Sequence, residues 1–132
     1  MPTILVVDDH PDVVRLVRAA LGKRYEVIGA ANGEEALAMV ADSRPSLILL
    51  DVMMPVLDGF RVLHRLKSDP ETTDLPIIML TGRDRDHDMA LGLSLGADCY
   101  LTKPFDPRDL VTLIARHLEV GAGAPPPGQI QV

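Results

Sequence analysis

Five polar residues stand at or just beyond the carboxyl ends of short apolar runs. Asp8 and Asp9 follow Ile4-Leu5-Val6-Val7, and Asp51 follows Leu47-Ile48-Leu49-Leu50. Thr81 follows Ile77-Ile78-Met79-Leu80, and Lys103 comes shortly after Cys99-Tyr100-Leu101. Carboxylates gathered in one place repel, so either one protonates or a cation neutralises them. An all-oxygen site with few protein ligands and room for water suits Mg²⁺. Such an ion lets one carboxylate approach an electron-rich phosphoryl group, attack it and form an acyl phosphate. In-line transfer also needs partners for the phosphoryl oxygens, and Thr81 offers a hydroxyl and Lys103 a point charge. Taken singly, each residue has a plainer account. An Asp-Asp pair after a strand often caps the next helix, and here Asp9 or His10 could cap a helix entered at Pro11. A lone Thr or Lys often caps or lies on the surface. Joint occurrence at four run ends is what points to a site.

These residues meet only if the runs are strands of one sheet. A fifth run, Tyr25-Glu26-Val27-Ile28, completes the set, and three of the five are continuously apolar, as in strands buried on both faces. Helical spacing fills the intervals. Val13, Val14, Leu16, Val17, Ala20 and Leu21 recur at three- and four-residue steps, with Gly22 as a stop. Asn32-Gly33-Glu34-Glu35 reads as a capping box before Ala36, Leu37, Met39 and Val40. Phe60, Val62, Leu63 and Leu66 mark a third helix from Gly59. A weaker fourth, over about residues 86–95, contains Gly92. The last has Asp106 as N-cap, Pro107 at N1 and an apolar stripe of Leu110, Leu113, Ile114 and Leu118. Strand and helix alternating five times predict right-handed crossovers and a doubly wound α/β sandwich. Such sheets bind ligands outside the carboxyl ends of their strands. The core is expected over residues 3–119, and residues 120–132, rich in Gly, Ala and Pro, as a linker or disordered tail.

Composition narrows the function classes. The 132 residues allow one domain. Lys and Arg total 13 against 19 acids, a net charge of -6, so direct nucleic-acid binding by this chain is not expected. Cys99 is the single cysteine, which fits a reducing, cytoplasmic setting. No apolar run approaches the ~18 residues of a membrane span. His10, His64, His87 and His117 are scattered, which supports neither a metal site nor a histidine phosphodonor.

Val6-Val7-Asp8-Asp9, Leu50-Asp51-Val52-Met53-Met54-Pro55-Val56-Leu57-Asp58-Gly59, Leu80-Thr81 and Gly96-Ala97-Asp98-Cys99-Tyr100-Leu101-Thr102-Lys103-Pro104-Phe105 resemble the receiver domain of two-component response regulators. The resemblance implies a flavodoxin-like fold with five helices and a parallel sheet ordered 2-1-3-4-5. It implies Asp51 as the phosphoacceptor, and Mg²⁺ held by Asp8, Asp9, Asp51 and the backbone carbonyl of Met53. Asp9 would be a more direct ligand than Asp8. Thr81 and Lys103 would bind phosphoryl oxygens, and a cis Lys103-Pro104 bond would aim the lysine inward. Thr81 and Tyr100 would relay the switch to a surface of the fourth helix, fifth strand and fifth helix. Met53 and Arg83 would tune the lifetime. Neither can act as a base for the attacking water, so self-dephosphorylation is expected to be slow. The expected partners are a sensor histidine kinase or histidine phosphotransfer protein, and an output domain or partner protein on the switch surface.

The chain departs from the winged-helix subfamily at the face through which those regulators dimerise. Met89, Cys99 and Leu113 stand where charges are usual. A salt-bridged homodimer of that kind is therefore in question. Met89, Leu91, Cys99 and Leu113 form either an apolar docking patch or ordinary helix packing. Two further readings stand beside the receiver switch. One is a phosphatase turning over through an aspartyl phosphate, which the apolar Met53 argues against. The other is an interaction module on the same fold that works without phosphorylation.

Overall fold

The computed structural model describes residues 1–54, 57–82, 90–92 and 94–119. Five strands form one parallel sheet: β1 (Thr3–Val7), β2 (Glu26–Ala30), β3 (Leu47–Asp51), β4 (Ile77–Thr81) and β5 (Cys99–Thr102). Their order is β2-β1-β3-β4-β5. The helices are α1 (Pro11–Leu21), α2 (Gly33–Ser43), α3 (Gly59–Ser68), α4 (helical at residues 90–92 and 94–95) and α5 (Pro107–Glu119). Residues 86–89 of the expected fourth helix and the expected tail, residues 120–132, lie outside the described residues. Among the described residues, no helix is long and apolar enough to cross a membrane.

The strands alternate sides residue by residue. Ile4, Val6, Leu47, Leu49, Ile78 and Leu80 pack with Val17 and Leu21 of α1 and Leu110 and Ile114 of α5. Leu5, Val7, Ile48, Leu50, Ile77 and Met79 pack with Ala36 and Val40 of α2 and Val62, Leu63 and Leu66 of α3. The period of two thus divides one apolar run between two helical layers, and so these strands need no polar face.

The helix starts follow their side chains. Asn32 Oδ1 accepts the Glu35 N–H at 2.9 Å, while Glu35 Oε1 reaches past the cap to the Ala31 N–H at 2.7 Å. Asp58 accepts the Arg61 N–H at 3.0 Å, and Asp106 accepts that of Arg108 at 2.8 Å. At α1 the cap position is His10, but its side chain makes no capping bond. Neither Asp9 nor His10 therefore serves as the side-chain cap, and Pro11 at N1 removes one donor that a cap would have to satisfy. β2 runs two residues beyond the apolar run, through Gly29 and Ala30. A Cβ at Gly29 would stand 3.1 Å from both Val14 methyls, so the glycine marks the close approach of α1 rather than a strand end. The Arg18 guanidinium donates to the Val27 carbonyl at 2.9 Å, occupying a group on this edge strand.

A polar clip holds the far end of the fold. Lys67 Nζ donates to the carbonyls of Thr73 at 3.1 Å and Leu75 at 2.9 Å, and lies 3.3 Å from Asp98 Oδ2. That oxygen also accepts the Ile77 N–H at 2.8 Å. One ammonium thereby ties the end of α3 to the starts of β4 and β5.

Candidate functional site

Register brings the polar residues to one edge. Val7 lies opposite Leu50, Asp51 opposite Leu80, and Thr81 opposite Thr102. Asp8, Asp51, Thr81 and Lys103 therefore extend from neighbouring carboxyl ends of the sheet. The Lys103 N–H donates to the Thr81 carbonyl at 2.6 Å, and the Lys103-Pro104 peptide is cis. Lys103 Nζ lies 2.7 Å from Asp8 Oδ2 and 3.2 Å from Asp51 Oδ1. Asp8 is 2% exposed and Asp51 5%. Asp9, the next residue along, is exposed instead.

Burial pushes the Asp51 carboxyl up to about 6, and the neighbouring Asp8 adds to the rise. Lys103 opposes it by charge and hydrogen bond, as does a backbone hydrogen bond from Met53. Burial works to lower the Lys103 ammonium, but its bond to Asp8 and the charge of Asp51 outweigh this and leave it raised. One ammonium therefore faces two buried carboxylates with Asp9 beside them, and the negative charge is under-compensated. A hard cation with oxygen ligands fits this donor set. Thr81 Oγ1 is buried and has no hydrogen-bond partner among the described residues. A buried hydroxyl left unpaired costs roughly 1–3 kcal/mol, so at the carboxyl end of β4, next to the strand that carries Asp51, it suits an incoming acceptor.

The loop after Asp51 is held by backbone approach. Gly59 N–H donates to the Val52 carbonyl at 3.0 Å, and a Cβ at Gly59 would collide with the Asp51 carbonyl. Asp58 caps α3 while Gly59 lets that helix start against the backbone of Asp51. Met53 is 77% exposed. Tyr100, opposite Met79 on β5, is half-buried against the α2–α3 side of the core. Its ring carbon Cε1 lies 3.4 Å from where a Cβ on Gly92 would be, an ordinary contact distance that places α4 against the Tyr100 ring. Arg83 and Met89 lie outside the described residues. Of the other apolar candidates, Cys99 and Leu113 pack against the core, and Leu91 is exposed. Packing thus accounts for two of the four.

The histidines were expected to support neither a metal site nor a phosphodonor, and His10 stands next to two of the carboxylates. Its N–H donates to Asp8 Oδ1 at 2.9 Å. Its ring Nδ1 lies 3.2 Å from both Asp8 Oδ1 and Asp9 Oδ1. Ligand atoms of Asp8, Asp9 and His10 all lie within 4.8 Å of one another. The signal available in the sequence was adjacency alone.

Comparisons with known proteins agree with this geometry. Residues 4–115 match the family model of the response regulator receiver domain. The chain is 46% identical over 123 residues to the alkaline phosphatase synthesis transcriptional regulatory protein PhoP of Bacillus subtilis, covering 90% of this chain and 50% of that protein. It is 46% identical over 110 residues to the phosphate regulon transcriptional regulatory protein PhoB of Pseudomonas aeruginosa, covering 83% and 48%. It spans about half the length of these curated relatives. Among solved structures, the chemotaxis protein CheY4 of Vibrio cholerae superposes with a TM-score of 0.83 at 35% identity, covering 89% of this chain and 99% of that one. The receiver domain of NtrX from Brucella abortus gives 0.81 at 32%, covering 88% and 98%. With its matched family model, its sheet order and its acidic edge in agreement, the chain belongs to the response regulator receiver domain family.

Proposed function

We propose that the chain is a phosphorylation switch that accepts a phosphoryl group on Asp51 from a histidine kinase or histidine phosphotransfer protein. The observation that carries this reading is the Lys103 ammonium shared between buried Asp8 and Asp51, at the sheet edge where β4 ends in Thr81 with its unpartnered hydroxyl. A carboxylate oxygen of Asp51 attacks phosphorus, the O–P bond forms as the donor's N–P bond breaks, and the leaving imidazole takes up a proton. Asp8, Asp9, Asp51 and the Met53 carbonyl would hold Mg²⁺. That ion supplies charge neutralisation between the carboxylates and the phosphoryl oxygens. Lys103 then exchanges a carboxylate partner for a phosphoryl oxygen, and Thr81 Oγ1 gains an acceptor.

The switch rests on those two exchanges. Thr81 moving toward the adduct alters the space beside Tyr100, and Tyr100 reports to the surface of α4, β5 and α5. Differential contacts of a few kcal/mol suffice to bias two states. The chain would work in the cytoplasm without sustained turnover and lose its phosphoryl group slowly, with Met53 and Arg83 flanking the water path. The relatives' greater length suggests an output module beyond residues 3–119, reached through residues 120–132, or a separate partner.

Intact-mass spectrometry with acetyl phosphate and Mg²⁺ tests the reading. One phosphoryl adduct is expected on the native chain, and none on Asp51→Asn or without the metal. A native chain that stays unmodified, and that also fails to bind beryllofluoride, would indicate a module that works without phosphorylation.

A further inference from the structure

We propose that Gly33, the first residue of α2, is a positioning residue for the cation site: its missing side chain lets the β3–α3 connection seat where Met53 reaches Asp51. The inference deepens the cation site proposed above and rests on it. A Cβ at Gly33 would stand 2.5 Å from the Leu57 carbonyl oxygen, 2.7 Å from Leu57 Cβ and 2.7 Å from a Val62 methyl. A backbone carbonyl cannot swing aside as the far end of a side chain can. Any larger residue here must therefore displace α2 or the connection that carries Leu57. Gly33 is not among the positive-φ glycines, so close approach and not backbone conformation accounts for it.

The two segments are not equally free to yield. At the start of α2, Asn32 Oδ1 accepts the Glu35 N–H at 2.9 Å and Glu35 Oε1 accepts the Ala31 N–H at 2.7 Å. The Ala36 N–H donates to the Asn32 carbonyl at 3.0 Å, and the Asp8 N–H donates to the Ala30 carbonyl at 3.0 Å. The helix start is thus tied to the very strand end that carries Asp8. Facing it, Leu57 is buried in the α2–α3 side of the core. Two residues on, the Gly59 N–H donates to the Val52 carbonyl at 3.0 Å and closes the connection into a loop. Met53 lies within that closure, and its backbone donates a hydrogen bond to the Asp51 carboxylate. A push on Leu57 at one side of a closed loop reaches Met53 at the other, while the capped helix resists it.

Gly33 itself offers nothing to an ion or a phosphoryl group and acts through Leu57. Enlarging it shifts the Met53 backbone relative to Asp51. Mg²⁺ demands near-ideal octahedral geometry, so a displaced Met53 carbonyl weakens its binding. A loss of stability alone would not single out the metal in this way.

Mg²⁺ would be titrated at one fixed pH into the native chain, Gly33→Ala and Val62→Ala, with binding followed by the amide resonances of Asp51 and Met53. Val62→Ala removes methyls at the same contact and destabilises the core without pressing on Leu57, so it reports what lost stability does to the site. Urea melts establish that each chain is folded under the conditions of the titration. The dissociation constant is expected to rise about fivefold or more further in Gly33→Ala than in Val62→Ala. A smaller difference overturns the proposal. Should Gly33→Ala not fold, Leu57→Ala empties the seat instead of overfilling it and is held to the same comparison. A native chain that binds Mg²⁺ but takes up no phosphoryl group would sink the switch and leave this comparison standing. A native chain that does not bind Mg²⁺ overturns both.

Discussion

Two side chains in the site are held in states that cost stability, and each gives a measurable consequence. Asp51 titrates near 6 against 3.8 for a free aspartate. Between those values the folded chain binds more protons than the unfolded one, so this residue's contribution to stability rises as pH falls from above 6 toward 4. Above 6 the penalty is fully present, up to about 3 kcal/mol. Without divalent metal, Asp51→Asn should therefore unfold at higher urea near neutral pH. Its advantage should shrink as pH approaches 4, and urea melts at several pH values check this. The second case is Thr81, whose buried hydroxyl lacks a partner. Thr81→Val keeps the shape and removes the hydroxyl. It should raise stability by about 1 kcal/mol while slowing acetyl phosphate uptake, seen by pairing melts with mass spectrometry. The carboxylates, Thr81 and Lys103 were legible as a group because each closes an apolar run. What was not legible is the opposite fate of two neighbours. Asp8 is buried against Lys103 while Asp9 faces solvent, because adjacent residues at a strand end point to different sides.

At the scale of elements, the apolar runs and caps foretold strands and helices because those signals are local. Asn32, Asp58 and Asp106 all accept backbone N–H groups two or three residues on. The glycines and the lysine clip needed the assembled fold. The apolar run stops at Ile28, and the role of Gly29 shows only with Val14 against it; nothing local joins Lys67 to Asp98. Gly59→Ala would force a methyl into the Asp51 carbonyl. It should cost more than about 2 kcal/mol and displace the start of α3, measurable by urea melts. Lys67→Met would strand two carbonyls and leave Asp98 with only the Ile77 N–H. A loss of about 1–3 kcal/mol is expected. Acetyl phosphate labelling at Asp51 should persist in the folded fraction, because the clip lies at the other end of the sheet.

For the molecule as a whole, charge and length had marked an acidic single domain, and the fold shows where part of that acidity is concentrated. A cation that binds only the folded site adds to its stability by mass action. At a hundredfold excess over the dissociation constant the gain is about 2.7 kcal/mol. Mg²⁺ should therefore raise the melting temperature of the native chain, and Asp9→Asn should lose most of that gain in calorimetric scans. The ion pair between Lys103 and Asp8 spans 95 positions of sequence. During synthesis the carboxylates leave the ribosome long before the lysine that completes their site. A chain stopped before β5 therefore carries Asp8 and Asp51 without the Lys103 ammonium. On the proposed function, phosphoryl uptake would begin only once translation has passed the last strand, and unfinished chains would take up none.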